Sequence, residues 1–290
     1  MWFTFALISA FLGAIDIILN KKCLEKVSPA LLSLALYSLT LPILILLVLN
    51  SGLPTINQFF YYGVLGSAVT FTIAKIITYD AFKQNQLSKI FPLTAFSGIF
   101  TYIFGLLLLS ETIRLIPIIG LFSVIIGSYL LNIDQAKEGL LKPFRLIFTN
   151  KLSILFLLAV LLASLTAVFD KIAVKNTDPY NPLFTIFIEQ LIMSFILFFY
   201  LRKKENHTWY RQLKNNFFLL FINSALFLIV ALLVFYAFTD GPVALILGVK
   251  RMQIFLVLLL SWFLFGDKPK KQIWLATLIM IIGVILIRIG

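Results

Sequence analysis

The 290 residues are 61% hydrophobic and only 12% charged, with a mean hydropathy of +1.03. A soluble domain is about half apolar and about a quarter charged, so this composition excludes one and points to an integral membrane protein. The net charge of +12 is spread over short loops between apolar runs; that is a topology signal rather than a nucleic-acid surface.

The chain opens on "MWFTFALISAFLGAIDIILNKK". It lacks a positive leading region and a small-residue cleavage site, so it reads as a retained first span. About 20 residues are needed to cross the hydrocarbon as a helix. Apolar runs of that length predict ten spans, at 2–20, 30–50, 58–82, 87–109, 112–131, 152–173, 182–201, 216–238, 242–265 and 271–289. Each run is continuous rather than alternating, which excludes a β-barrel. The fourth and fifth spans are divided only by the short break at Ser110-Glu111. The predicted fold class is therefore an all-α integral membrane protein of ten transmembrane helices.

The loops after the odd-numbered spans carry 17 Lys and Arg residues, against four (Arg114, Lys171, Lys175 and Arg288) on the other side. Cytoplasmic loops collect basic residues. The expected topology is thus a multi-pass protein of the cytoplasmic membrane with both termini extracytoplasmic.

A gap-free shift of 156 residues lays Glu111 over Asp267, Arg114 over Lys270 and Ile126-Gly127 over Ile282-Gly283. Upstream, a shift of 154 lays Asp16 over Asp170 and Lys21 over Lys175. The halves are read as residues 1–134 and 152–290, joined by a cytoplasmic amphipathic linker at 135–151 that would lie on the anionic leaflet. Five spans per half is an odd number, so the second copy must be inverted. Inverted repeats are the ground plan of many secondary transporters, with the solute site at the repeat interface.

Pro92, the "LLLLSE" that ends at Glu111, Gly120 and "GSYLLN" in the first half have counterparts in "SWFLFGD", which ends at Asp267, and "IIGVILI" in the second. This pattern resembles the EamA-type family of the drug/metabolite transporter superfamily across the whole chain. The resemblance implies a ten-helix inverted repeat that moves small organic metabolites, often amino acids or related compounds, by secondary transport. A lipid-linked substrate flippase is the alternative found in the same superfamily.

Ionisable groups inside spans are functional candidates, since each costs about 3 kcal/mol or more near the bilayer centre. Lys250 and Arg251 lie eight residues into the ninth span (242–265), roughly 12 Å deep at 1.5 Å per residue. Glu189 enters the seventh span from the same face to similar depth. Neighbouring helix residues point about 100° apart. The expectation is that one cation meets Glu189 and the other faces a cavity, where it would bind a substrate carboxylate; an internal ion pair that only fixes packing is the competing reading. Lys75 and Tyr79 share a helix face at i, i+4 spacing and are read as cavity walls, against a Lys75 that snorkels to the headgroups. Tyr37 and Gln190 each follow a proline by eight residues in equivalent spans and complete the expected substrate-binding set. Asp16 and Asp170 lie late in spans of opposite direction; they are expected to guard two mouths of one pathway, or to take up protons. Glu111 and Asp267 are read as structural acids that favour the N-terminus of the following helix, and Pro92 as the cause of a bend.

One cysteine (Cys23) and one histidine (His207) leave no basis for a metal site or an internal disulfide. There is no HExxH, Ser/His or Cys/His set and no GxxxxGK[ST], so neither an intramembrane enzyme nor an ATP-driven pump is expected, and no cofactor. The expected partners are a small-molecule substrate, the bilayer and protons, with no nucleic acid and a monomeric state.

Overall fold

A backbone in hydrocarbon must satisfy its own polar groups, and a helix does so residue by residue. The computed structural model, which describes residues 1–83, 91–133, 151–204, 208–265 and 271–290, is accordingly almost entirely helical. In the first part of the chain the elements are α1 (Trp2–Leu24), α2 (Pro29–Ser38), α3 (Leu41–Ser51), β1 (Thr55–Ile56), α4 (Gln58–Lys83), a 3-10 turn at Phe91–Ala95, α5 (Phe96–Leu109) and α6 (Leu115–Ile133). The rest comprises α7 (Lys151–Lys175), β2 (Thr177–Asp178), α8 (Pro182–Lys204), α9 (Thr208–Asn215), α10 (Phe217–Phe238), α11 (Val243–Lys250), α12 (Met252–Phe265) and α13 (Lys271–Ile289).

Among the described residues seven stretches are long and apolar enough to cross a membrane, and three shorter apolar helices lie where the fourth, fifth and tenth spans are expected. The chain is a multi-pass membrane protein. Large apolar side chains such as Leu46, Leu65, Phe195 and Phe218 are exposed on the outside of the bundle, a surface that suits lipid and not water.

Local chemistry explains where elements start and stop. Ser28 accepts a hydrogen bond from the Leu31 amide at 3.2 Å, with Pro29 in the first turn; both are standard ways to begin a helix. The expected second span is two helices. Pro42 sits at the start of α3 and cannot donate to the preceding turn, so the chain steps at Leu39–Thr40. The Ser110 break is real: Ser110 adopts a left-handed conformation (φ 53°), and the Glu111 amide returns to the Gly105 carbonyl at 3.1 Å, which closes the end of α5. The bend expected at Pro92 is the 3-10 turn itself. The ninth span is also broken, with Arg251 between α11 and α12.

The helices pair across the two halves of the chain. α6 packs on α13, α4 on α7, α1 on α10, α5 on α7, and α1 on α11 and α12; α2 packs on α8 and α10, and α4 on α8. Small residues permit the closest approaches. A Cβ on Gly120 would lie 2.6 Å from the Gly283 carbonyl oxygen, and one on Gly283 would lie 2.6 Å from that of Gly120. Further along, Gly127 faces the Ala276 carbonyl at 2.8 Å. As the residue number rises on α6 it falls on α13, so these two helices run antiparallel. Gly63 and Gly66 play the same part on α4, against Ala173 and Phe169 of α7.

The loops after α3, α5, α7 and α10 share one face. There β1 pairs antiparallel with β2, Thr55 opposite Asp178. Residues 135–150 of the expected amphipathic linker, and Asp267, lie outside the described residues.

Candidate functional site

Between the halves lies a chain of polar groups in which each partner is set by the one before it. Asp16 and Asn20 of α1 are four residues apart and share a face. Asn20 Nδ2 donates to Asp16 Oδ2 at 2.8 Å. A carboxylate only accepts, so the Asn20 amide is fixed with its oxygen pointing away. That oxygen accepts from Asn223 Nδ2 of α10 at 3.0 Å and from the Tyr79 hydroxyl of α4 at 3.3 Å. Tyr79 in turn accepts from Lys75 Nζ at 3.1 Å. Five residues on three helices, from both halves, are thus tied by one network.

Lys75 does not snorkel. Its ammonium sits among three rings, 4.8 Å from the centroid of Tyr79, 5.2 Å from Phe227 and 5.4 Å from Phe71, at distances where the ring faces attract a cation. Tyr37 closes the back of this box, with its ring 5.6 Å from Phe227 and 6.1 Å from Phe71. Its hydroxyl is buried without a hydrogen-bond partner.

Asp16 and Asp170 do not stand at two mouths. Both act electrostatically on Lys250, at the end of α11, and Asp16 also feels Lys75. The late position of each aspartate in its helix suggested opposite faces; both lie within the electrostatic reach of one cation, Lys250. Ser67 of α4 donates a hydrogen bond to Asp170 Oδ1, and beside it Thr70 and Thr166 join their hydroxyls at 2.7 Å.

Glu189 does not meet the cations as expected. It is buried in α8, and its neighbours are Asp170 and the hydroxyl of Ser67, while its Oε1 has no hydrogen-bond partner. Arg251 is turned away from it. The guanidinium donates to the Thr94 carbonyl at 2.6 Å, to Ser128 Oγ at 3.1 Å and to Ser97 Oγ. It therefore clamps the 3-10 turn, α5 and α6 together with neutral oxygens. The roughly 100° between adjacent residues on a helix separates the two cations as anticipated, but the one with a carboxylate neighbour is Lys250, and Arg251 is the structural member. Gln190 accepts from Thr40 Oγ1 at 3.1 Å, at the step between α2 and α3.

Glu111 does not favour the following helix. Its Oε2 accepts from the Val243 amide at 3.0 Å, at the start of α11, where the dipole and free N–H groups welcome an anion. Its Oε1 is 2.5 Å from Lys171 Nζ, and Lys171 also donates to the Gly241 carbonyl at 2.7 Å. Lys171 is a buried residue and not the loop charge that the topology count assumed.

Asn20, Ser67, Asn223, Phe227 and Lys171 join the site without having been singled out in the sequence. Two signals pointed to them: Asn20 lies at i+4 from Asp16, and Asn223 interrupts the apolar run "FFLLFINSALFLIV". A shallow depression of about 540 Å³ around Asn57, Asn176 and Tyr180 lies on the β1–β2 face and contains none of these charges. Among the described residues no group of acids, histidines and cysteines is placed to hold a metal ion.

No curated protein matches the chain. Among solved structures 28 chains match; one, a protein known from its crystal structure, superposes with a TM-score of 0.75 at 12% identity, over 98% of this chain and 94% of that one, a likeness of fold alone. The EamA-like transporter family model matches residues 1–133 and again 150–289. Two matches side by side, covering nearly every residue and dividing the chain where the sequence repeat divides it, show that this membrane protein belongs to the EamA-like transporter family.

Proposed function

We propose that the chain is a secondary active transporter of a small, amino-acid-like, carboxylate-bearing solute, working by alternating access between two inverted five-helix halves, residues 1–134 and 152–290. The observation that carries this reading is that Asp16 of one half and Asp170 of the other both act electrostatically on Lys250. A cation in the field of carboxylates from both halves is positioned to take up a substrate carboxylate as the halves move.

The helix pairings support the inverted arrangement. Exchanging the halves turns α4·α7 into α10·α1, α5·α7 into α11 and α12 on α1, and α4·α8 into α10·α2; each of these pairs is present. The contact of Gly120 with Gly283 becomes that of Ala276 with Gly127, which is also present. The equivalent helices α6 and α13 run in opposite directions. Within this frame Lys250 is the carboxylate-binding cation; Lys75, Tyr79 and Tyr37 form the wall opposite it, and Gln190 fixes the α2–α3 step beside them. Asp170 and Glu189, two carboxyl groups around one serine hydroxyl, are the proton-coupling pair, because two neighbouring anions in a dry site favour holding a proton between them. The loops on the β1–β2 face carry few cations, which supports placing that face, and both termini, outside the cytoplasmic membrane. The working unit is the monomer, since both halves of the site come from one chain.

The test is uptake of radiolabelled amino acids by proteoliposomes of the purified protein, with and without an imposed pH gradient. Uptake that saturates, responds to the gradient and falls at least tenfold in Lys250→Ala supports the assignment. Absence of uptake for every amino acid and organic acid tried would end it.

A further inference from the structure

We propose that the aromatic box around Lys75 is an ammonium subsite, which takes the primary amine of the transported solute, and that Lys75 is its resident stand-in. This rests on the transport reading and names the second half of the substrate.

Three observations converge on that space. The box already holds an ammonium: Phe71, Tyr79 and Phe227 surround Lys75 Nζ at 4.8 to 5.4 Å. Two acceptors near it lack donors. Asp16 Oδ1 is buried and unpartnered. Because Asp16 fixes Asn20, and Asn20 fixes Asn223 as a donor, the Asn223 oxygen must also face inward as an acceptor, and it too is buried and unpartnered. An unmet buried acceptor is costly, more so when charged. A ligand that donates N–H bonds relieves it; a carboxylate or a fully methylated ammonium cannot. Finally, Asp16 acts electrostatically on both Lys75 and Lys250, while Arg251 is held apart by neutral oxygens. A zwitterion would set its ammonium in the box beside Asp16 and its carboxylate on Lys250.

Thermal stabilisation of the full chain in detergent tests this, with n-butylammonium, its neutral N-acetyl derivative, tetramethylammonium and butyrate as probes at constant ionic strength. The expected result is stabilisation by n-butylammonium, at least tenfold weaker apparent affinity for tetramethylammonium, and none for the acetylated amine. Lys75→Met, which empties the box, should bind n-butylammonium several-fold more tightly than the parent, and Phe227→Leu several-fold more weakly. Equal shifts from the amine and its acetyl derivative, or unchanged amine affinity in both variants, would overturn the subsite. Amino-acid uptake into proteoliposomes that n-butylammonium does not inhibit would also overturn it while leaving the transport reading intact; amine binding without any uptake would retain the subsite and reject the transport reading.

Discussion

Lys171 of α7 and Glu111, from the α5–α6 turn, form a buried ion pair at 2.5 Å that joins the first half of the chain to the second. The pair is embedded: Glu111 also caps α11, and Lys171 also binds the Gly241 carbonyl. Lys171 directly follows Asp170, so one turn of α7 reaches both the charge cluster and this contact.

Removing one partner leaves the other charged and enclosed, which costs about 3–5 kcal/mol. Lys171→Met and Glu111→Gln are each expected to lower the melting temperature markedly, and the double variant to recover most of the loss. A double-mutant cycle from thermal or denaturant unfolding in detergent measures this; additive losses would show that the two side chains do not interact.

The β1–β2 pair spans the same seam. Thr55 and Asp178 are opposite each other, at a separation suited to a disulfide. In a Cys23→Ser background, Thr55→Cys with Asp178→Cys should stop uptake on oxidation and regain it on reduction. Oxidised protein that transports at the parent rate would mean that this face does not open.

Lys250 and Arg251 should separate experimentally. Arg251→Lys cannot bridge three oxygens on three segments, since an ammonium is a point charge and the guanidinium a planar fork. It is expected to destabilise the protein by about 2 kcal/mol or more. Lys250→Ala is expected to abolish uptake with a much smaller change in melting temperature. The reverse pattern would exchange their roles.

At the α6–α13 contact a single methyl group is too much. The Cβ of Gly120→Ala would meet the Gly283 carbonyl at 2.6 Å, backbone that cannot swing aside. Overpacking of this kind costs about 1–3 kcal/mol, read as a lower melting temperature for Gly120→Ala and again for Gly283→Ala. Gly13→Ala meets only the tip of Gln253, a flexible side chain, and should cost less.

Much of this was legible in the chain itself. The multi-pass helical class, the Ser110 break and the list of enclosed charges all depend on local hydropathy and on short-range spacing, which a sequence states outright. The bond from Asn20 to Asp16 was legible too, as an i, i+4 pair on one helix. The remaining partners were decided by tertiary structure. Depth along a span could not tell that Glu189 would turn to Asp170 and Ser67 and not to the cations, because depth fixes height and leaves the azimuth of each helix free. Nor could it tell that Arg251 would clamp three segments while Lys250 stayed in the field of both aspartates, or that Glu111 would cap a helix 132 residues away. Those outcomes depend on helix tilt, on the breaks at Leu39–Thr40 and Arg251, and on glycine contacts that set how closely the helices approach, quantities that exist only once the halves are packed.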